Sequence, residues 1–81
     1  MTTKTPKHKY DLKIYNGRVK VYIDGIAFLW FNQIDFKGIY AYKDDTDLYG
    51  VDIVLKDTTI ETFYKTKEVW LAVLKILDER L

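Results

Sequence analysis

The chain has 81 residues, no cysteine and a formal net charge of +1, and 48% of its residues are hydrophobic. This composition fits one globular domain and excludes a disulfide framework, a thiolate metal site and an intrinsically disordered chain. No apolar run approaches the roughly 20 residues of a membrane-spanning helix and the polar N-terminus does not match a signal peptide, so we expect a cytoplasmic protein.

The N-terminal segment lacks the apolar periodicity of a strand or helix. It is polar and basic after Met1, and it includes Lys4, Lys7 and His8. We therefore predict a flexible basic arm over residues 1–8 and a single domain over residues 9–81.

Two turn signals divide the strand-rich run that follows. Asn16-Gly17 and Asp24-Gly25 are the dipeptides best suited to two-residue hairpin turns, because both central residues need a positive φ. The sequence predicts three strands over about Lys9–Tyr15, Arg18–Asp24 and Ile26–Phe31. With two-residue turns, the apolar cross-strand partners on the buried face are Tyr10–Ile23, Leu12–Val21, Ile14–Val19, Ile23–Ile26, Val21–Phe28 and Val19–Trp30.

The third strand is apolar on both faces, since Ala27, Leu29 and Phe31 alternate with the residues assigned to the core. A strand of this kind is covered on both sides. The cover comes either from the protein's own sheet, curling over, or from another chain.

Three more strands and a helix complete the pattern. The strands cover about Phe36–Tyr42, Leu48–Leu55 and a segment ending near Tyr64, with a bulge at Gly38 and a two-residue or four-residue loop around Asp57-Thr58. Thr66 is a candidate N-cap for the final helix. One stripe of that helix is apolar and contains Trp70, Val73, Leu74, Leu77 and Leu81.

Six strands followed by one helix predict an α+β fold, a curled antiparallel β-meander with a C-terminal amphipathic helix. In its element order, and in the C-terminal helix that carries Trp70, the chain resembles the pleckstrin-homology-type roll, with one strand fewer. That resemblance implies a fold that supports lipid, peptide and protein binding alike.

Enzymatic signals are scarce. The chain has no serine, no cysteine and one histidine, His8, so nucleophile–base pairs of the Ser-His and Cys-His types are excluded. Asp45, Asp47 and Gly50 imitate part of a calcium-binding loop, but Lys56 stands where a carboxylate is required. We expect a non-enzymatic protein without catalytic residues, metal or cofactor.

The favoured function is a small protein-interaction domain that self-associates as a homodimer. Its predicted interface consists of Leu29 and Phe31 on the third strand and of Val69 and Ile76 beside the helix stripe, because exposed apolar area in a small domain usually marks an interface. Eleven lysines against two arginines indicate an AT-rich genome, that of a low-GC bacterium or of one of its phages. An accessory protein of a phage or mobile element fits this composition.

The alternative is a nucleic-acid-binding module. Its candidate contacts are the basic arm and the solvent face of the first three strands, where cations alternate with aromatic rings: Lys13, Tyr15, Arg18, Lys20 and Tyr22. Asp11 and Asp24 on the same face oppose this interpretation. Residues 1–43 carry a formal charge of +5 and residues 44–81 a charge of −4, an asymmetry that fits either a nucleic-acid surface or two poles that associate head to tail.

Overall fold

The computed structural model describes residues 8–46 and 48–81. Most of the arm predicted for residues 1–8 therefore lies outside the described residues. The elements are β1 (Tyr10–Tyr15), β2 (Arg18–Ile23), β3 (Ile26–Asn32), a 3₁₀ turn (Gln33–Asp35), β4 (Phe36–Lys43), β5 (Tyr49–Leu55), β6 (Thr59–Tyr64) and α1 (Lys67–Arg80).

The strands form two antiparallel sheets of three, ordered β1-β2-β3 and β4-β5-β6, and α1 packs against β1, β5 and β6. The α+β prediction is confirmed. The chain leaves the first sheet at the 3₁₀ turn, so β3 and β4 do not pair. Within the described residues, no helix is both long enough and apolar enough to cross a membrane.

One core joins the two sheets and the helix. Apolar side chains with little or no solvent exposure come from all three: Leu12, Val19, Val21, Leu29 and Phe31 from the first sheet, Val51, Ile53 and Tyr64 from the second, and Val73 and Leu77 from α1. Each sheet therefore has an inner face toward this core and an outer face toward solvent.

The first hairpin follows the prediction. Asn16 and Gly17 have φ angles of 51° and 76°, so both central residues adopt the left-handed conformation that a two-residue turn needs. The β1–β2 register contains the three predicted apolar pairs, Tyr10–Ile23, Leu12–Val21 and Ile14–Val19. Ile14, which was predicted to be buried, is exposed at the end of β1 near the turn.

The second hairpin has the predicted turn but a different register beyond it. Asp24 and Gly25 have φ angles of 54° and 81°, and Ile23 faces Ile26 as expected. Ile26 lies beside the turn and is 71% exposed, so its predicted burial is wrong. A bulge then shifts the pairing, so Val21 faces Leu29 and Val19 faces Phe31. The predicted pairs Val21–Phe28 and Val19–Trp30 are wrong, because one extra residue in β3 exchanges the faces of every residue after it.

This exchange also corrects the predicted interface. Leu29 and Phe31 are 3% and 5% exposed, and the Phe31 ring stacks on Phe36 with 5.7 Å between centroids. The protein's own sheets cover the two side chains, so the prediction that they point away from the core is wrong. Trp30, predicted to be buried, is 55% exposed.

The second sheet has the four-residue loop and the bulge that the sequence allowed. Val54 faces Thr59 across a loop of four residues, and the register shifts between Phe36 and Gly38. A four-residue loop in place of a two-residue loop moves the pairing by two positions along β6. Side chains alternate with a period of two, so Ile60, Thr62 and Tyr64 lie on the core side of the sheet with either loop.

The helix begins and packs as its sequence predicts. The Thr66 hydroxyl accepts a hydrogen bond from the Val69 backbone N–H at 3.3 Å, and the Trp70 indole N–H donates to the Gly50 carbonyl at 2.9 Å. Val69 and Ile76, the other two predicted interface residues, are half-buried and pack against the shared core. They do not form a separate exposed patch with Leu29 and Phe31.

Candidate functional site

The outer face of the first sheet carries the residues predicted to contact nucleic acid. Strand alternation directs one set of side chains away from the core, because their neighbours Leu12, Val19 and Val21 point inward. Lys13 faces Lys20 and Tyr15 faces Arg18 across the β1–β2 ladder. All five predicted residues line one concave pocket of about 300 Å³: Lys13, Tyr15, Arg18, Lys20 and Tyr22.

The cations of this pocket lie next to aromatic rings and to each other. The Lys13 ammonium nitrogen is 5.5 Å from the centroid of the Tyr22 ring, within cation–π distance. Lys13 and Lys20 are directly opposed, an arrangement that is unfavourable within a sheet. Among the described residues, no carboxylate is within ion-pair distance of Lys13, Arg18 or Lys20. The pocket therefore offers positive charge that an external anion can neutralise.

Trp30 joins these residues because of the β3 bulge. It is the cross-strand neighbour of Lys20 and is 55% exposed. Its indole also borders a hollow of about 220 Å³ with Phe28 and Ile60, at the β3 edge of the sheet. We refer to the whole surface as the basic face; it comprises Lys13, Tyr15, Arg18, Lys20, Tyr22 and Trp30.

Trp30 was not predicted to lie on this surface. The continuous apolar run from Ile26 to Phe31 was the one indication in the sequence that Trp30 could face solvent. A run of this kind can turn either face toward the core and can contain a bulge.

The two acidic residues that opposed a nucleic-acid role lie at one end of the basic face. Asp11 faces Tyr22, and its carboxylate accepts a hydrogen bond from the Leu12 backbone N–H at 2.8 Å. Asp24 lies in the β2–β3 turn, at the end of the strands opposite Tyr15 and Arg18. The predominantly positive part of the face is therefore the end near the Asn16-Gly17 turn.

Asp24 is already engaged by the start of the described chain. Its carboxylate lies 2.7 Å from the His8 ring nitrogen Nδ1 and accepts a hydrogen bond from the Lys9 backbone N–H at 2.8 Å. The hydrogen bond with His8, followed by that from Lys9, lowers the pKa of the Asp24 carboxyl below its ordinary value. His8 is thus fixed beside the second turn, although the sequence placed it in a flexible arm.

The basic face has the chemistry of a phosphate and base contact surface. Amine and guanidinium groups donate hydrogen bonds to phosphate oxygens, and exposed aromatic rings stack on unpaired bases. Three strands spaced about 4.8 Å apart present these groups over a width of about 10 Å. Tyr15 is 78% exposed, and together with Trp30 it offers two rings on the first and third strands.

A second surface feature lies between α1 and β4. It is an open groove of about 420 Å³ whose apolar walls come from Ile39, Ala41, Leu71 and Leu74, with Lys75 and Asp78 at its rim. Val69 and Ile76, which the sequence assigned to an interface, are not among its lining residues. Within residues 8–46 and 48–81, no group of three or more His, Asp or Glu side chains is placed to hold a metal ion.

The chain matches no protein-family model, and searches among curated proteins and among solved structures likewise find no match. The function is therefore inferred from the residues of the basic face themselves.

Proposed function

We propose that the protein is a small non-enzymatic module that binds single-stranded nucleic acid on its basic face. The observation that supports this proposal is the convergence of Lys13, Arg18 and Lys20 with the exposed rings of Tyr15 and Trp30 on one sheet surface. The absence of an ion-pair partner for the three cations among the described residues adds to it.

The proposed mechanism divides the work between charge and stacking. Lys13, Arg18 and Lys20 hold successive phosphates, and Tyr15 and Trp30 stack on bases that have left their own stack. Single strands are the better ligand, because bases in a duplex are stacked on each other and cannot cover a protein ring. Contacts of this kind are tolerant of sequence, so we expect a preference for strandedness rather than for a particular base order.

The first experiment measures affinity against salt concentration. Fluorescence polarisation uses labelled single-stranded DNA and RNA of about 12 nucleotides. This length falls within the roughly 4–16 nucleotides that one OB-fold domain covers on a single strand. If three phosphates are neutralised, the logarithm of the affinity should fall with the logarithm of salt concentration with a slope of about −2. No binding to either oligonucleotide at about 50 mM salt would refute the proposal.

A matched pair of charge-reversal variants identifies the face. Replacing Lys13, Arg18 and Lys20 with Glu should abolish binding, whereas replacing the exposed Lys37, Lys56 and Lys65 with Glu changes net charge equally and should weaken binding only modestly. Circular dichroism checks that both variants are folded. Equal losses from the two triple variants would show that net charge, not this face, governs binding.

Stacking has its own readout. Trp30 is more than half exposed whereas Trp70 is half-buried and hydrogen-bonded to Gly50, so added oligonucleotide should quench Trp30 emission preferentially. Trp30→Ala should remove the quenching and weaken binding about 5- to 150-fold, which corresponds to about 1–3 kcal/mol for one stacked base. Quenching that persists in Trp30→Ala would contradict stacking at this residue.

The remaining expectations from the sequence fit this proposal and are proposed with it. The Lys-rich composition and the lack of cysteine support a cytoplasmic accessory protein of a phage or mobile element. A protein-interaction domain that self-associates is the second candidate function. The observation that favours it is that the two outer sheet faces have opposite charge: the first sheet pairs Lys13 with Lys20, and the second pairs Asp52 with Glu61.

A further inference from the structure

The outer face of the second sheet carries acidic and aromatic side chains. Asp52 in the central strand β5 faces Tyr40 on one side and Glu61 on the other. Glu61 is exposed, and Tyr40 is 69% exposed. Two carboxylates directly opposed across strands repel each other, so this surface offers negative charge that an external cation can neutralise.

An aromatic pair lies beside these carboxylates. The Tyr42 ring lies over Gly50, and its hydroxyl donates a hydrogen bond to Asp52 at 3.2 Å. Phe63, 52% exposed, meets the Tyr42 ring edge-on with 6.4 Å between centroids. We refer to this whole surface as the acidic face; it comprises Tyr40, Tyr42, Asp52, Glu61 and Phe63.

The basic and acidic faces match each other position by position. One row across the first sheet reads Lys13, Lys20, Trp30, and one row across the second sheet reads Glu61, Asp52, Tyr40. In both rows two like charges on neighbouring strands are followed by an exposed aromatic ring on the third strand. Because strands in both sheets are about 4.8 Å apart, the charges and the rings come into register when the two faces meet.

We infer that the acidic face of one copy docks on the basic face of a second copy. Docking brings Lys13 and Lys20 against Glu61 and Asp52 and relieves both like-charge pairs, and it covers Trp30 with an aromatic partner. The two faces of one molecule point away from each other, since each sheet turns its other side toward the shared core. The contact is therefore head-to-tail, and each added copy leaves one basic and one acidic face free.

The size of the faces sets the strength of this association. A surface three strands wide and about six residues long covers a few hundred Å² on each copy, below the area of a stable interface. We expect a dissociation constant on the order of 0.1–1 mM at low salt, weakened as salt screens the charge pairs. This interface replaces the homodimer interface that the sequence predicted, which consisted of Leu29, Phe31, Val69 and Ile76.

The inference also makes self-association and nucleic-acid binding compete, because both need Lys13, Lys20 and Trp30. This consequence rests on the function proposed above, whereas the self-association does not. Single-stranded oligonucleotide should dissociate the assemblies, and a high protein concentration should lower the apparent affinity for oligonucleotide.

Sedimentation equilibrium of the full chain tests the inference first. At low salt, the weight-average mass should rise steadily above 9.6 kDa as the concentration approaches about 1 mM, without a plateau at the dimer. Asp52→Lys together with Glu61→Lys should return the mass to that of a monomer. The matched control, Asp57→Lys with Glu79→Lys, changes two exposed acids outside the acidic face and should still associate. A wild type that stays monomeric at about 1 mM overturns the inference.

A mixing experiment distinguishes head-to-tail docking from a symmetric dimer. A variant with Lys13→Gln and Lys20→Gln keeps only its acidic face, and a variant with Asp52→Asn and Glu61→Gln keeps only its basic face. Neutral side chains are used here because two reversed faces would be complementary to each other. Each alone should be monomeric, and an equimolar mixture should form a 1:1 dimer that does not grow further. Association of either variant alone as strongly as the wild type, or no heterodimer in the mixture, overturns the inference.

Two further results complete the test. If a charge-reversal pair fails to fold, Asp52→Asn with Glu61→Gln removes the charge with nearly the same shape and should reduce association at least about fivefold. The acidic-face variants should bind oligonucleotide at least as tightly as the wild type. A wild type that self-associates but binds no oligonucleotide refutes the proposed function alone, and a wild type that binds oligonucleotide but stays monomeric refutes the head-to-tail association alone.

Discussion

Lys20 and Trp30 lie directly opposite each other across the β2–β3 ladder, on the outer face of the first sheet. This pairing exists because the bulge gives β3 one more residue than β2 between the Asp24-Gly25 turn and the Lys20–Trp30 pair. Because of the bulge, Leu29 and Phe31 point into the core, and the Trp30 indole lies next to Lys20 on the solvent side of the sheet. One inserted residue thus determines both the packing of the core and the composition of the basic face.

The burial of Phe31 and the exposure of Trp30 lead to the first prediction. Phe31→Ala should lower the free energy of unfolding by about 3–5 kcal/mol, because it leaves a cavity between the sheets. Trp30→Ala should lower it by less than about 1 kcal/mol, as expected at an exposed position. Urea denaturation of both variants measures the difference. A larger loss from Trp30→Ala than from Phe31→Ala would contradict the register of β3.

Local turn chemistry made much of the fold predictable. Asn16-Gly17 and Asp24-Gly25 favour one turn type so strongly that they determine which residues face each other nearest the turn. The β1–β2 register, where each strand alternates cleanly, follows from the first turn alone. The β3 register does not follow from the second turn. Because both faces of β3 are apolar, the strand buries apolar side chains whichever face it turns toward the core. The bulge depends on how the whole core is filled, which no local pattern contains.

The candidate site was predictable to the same extent. The alternation of apolar and polar residues along β1 and β2 determines that Lys13, Arg18 and Lys20 point to solvent. The five residues predicted to contact nucleic acid do line one pocket. Trp30 could not be assigned to them, because its facing depends on the bulge. The acidic face was equally hard to predict, because either Ile39 with Ala41 or Tyr40 with Tyr42 could form the buried side of β4. Their outward facing follows from the pairing of Ile39 with the buried Ile53.

A second prediction concerns a buried hydroxyl. Tyr64 is 8% exposed, and its hydroxyl makes no hydrogen bond to the described residues. Burial raises the pKa of the Tyr64 phenol above its ordinary value, and the nearby Thr62 hydroxyl lowers it to a smaller extent. The hydrogen of the Thr62 hydroxyl is donated to the Val51 carbonyl. Tyr64→Phe should therefore leave the free energy of unfolding unchanged or raise it by up to about 1 kcal/mol.

The matched variant for this prediction is Tyr64→Leu. It removes the ring as well, including the edge-on contact with Phe28 at 6.3 Å between centroids, and should cost on the order of 1–3 kcal/mol. Thermal unfolding of the two variants compares them. A substantial loss of stability in Tyr64→Phe would mean that the hydroxyl has a partner that the structure does not reveal.

The third prediction concerns the pH dependence of the link between His8 and Asp24. A carboxyl whose pKa is lowered by folding contributes stability above its unfolded pKa of about 3.9, and the contribution is lost as pH falls through the folded pKa. His8→Ala removes the largest cause and should raise the pKa of Asp24 toward its ordinary value. Lys9→Ala keeps its backbone N–H donor and should change the pKa less.

Carbon-detected NMR titration of the Asp24 carboxyl measures these pKa values directly. Asp24→Asn provides an independent check, because Asn keeps the positive φ that the turn requires but removes the negative charge. Faster amide exchange at Lys9 in Asp24→Asn is the expected sign that the start of the strand has loosened. An Asp24 pKa that does not respond to His8→Ala would contradict the link.

The last prediction uses two glycines of the second sheet as a matched pair. A methyl group at Gly50 would overlap the Tyr42 ring, whereas a methyl group at Gly38 would meet nothing within 4 Å. Gly50→Ala should therefore displace Tyr42, break its hydrogen bond to Asp52 and lower the free energy of unfolding by about 1–3 kcal/mol. Gly38→Ala should be neutral or stabilising by up to about 1 kcal/mol, because it restricts the unfolded chain.

A double-mutant cycle with Tyr42→Ala, measured by urea denaturation, tests whether the Tyr42 ring is the obstacle. In the Tyr42→Ala background Gly50→Ala should become nearly neutral, which corresponds to a coupling of at least about 1 kcal/mol. Additive losses in that cycle would show that the Tyr42 ring does not lie over Gly50 in solution.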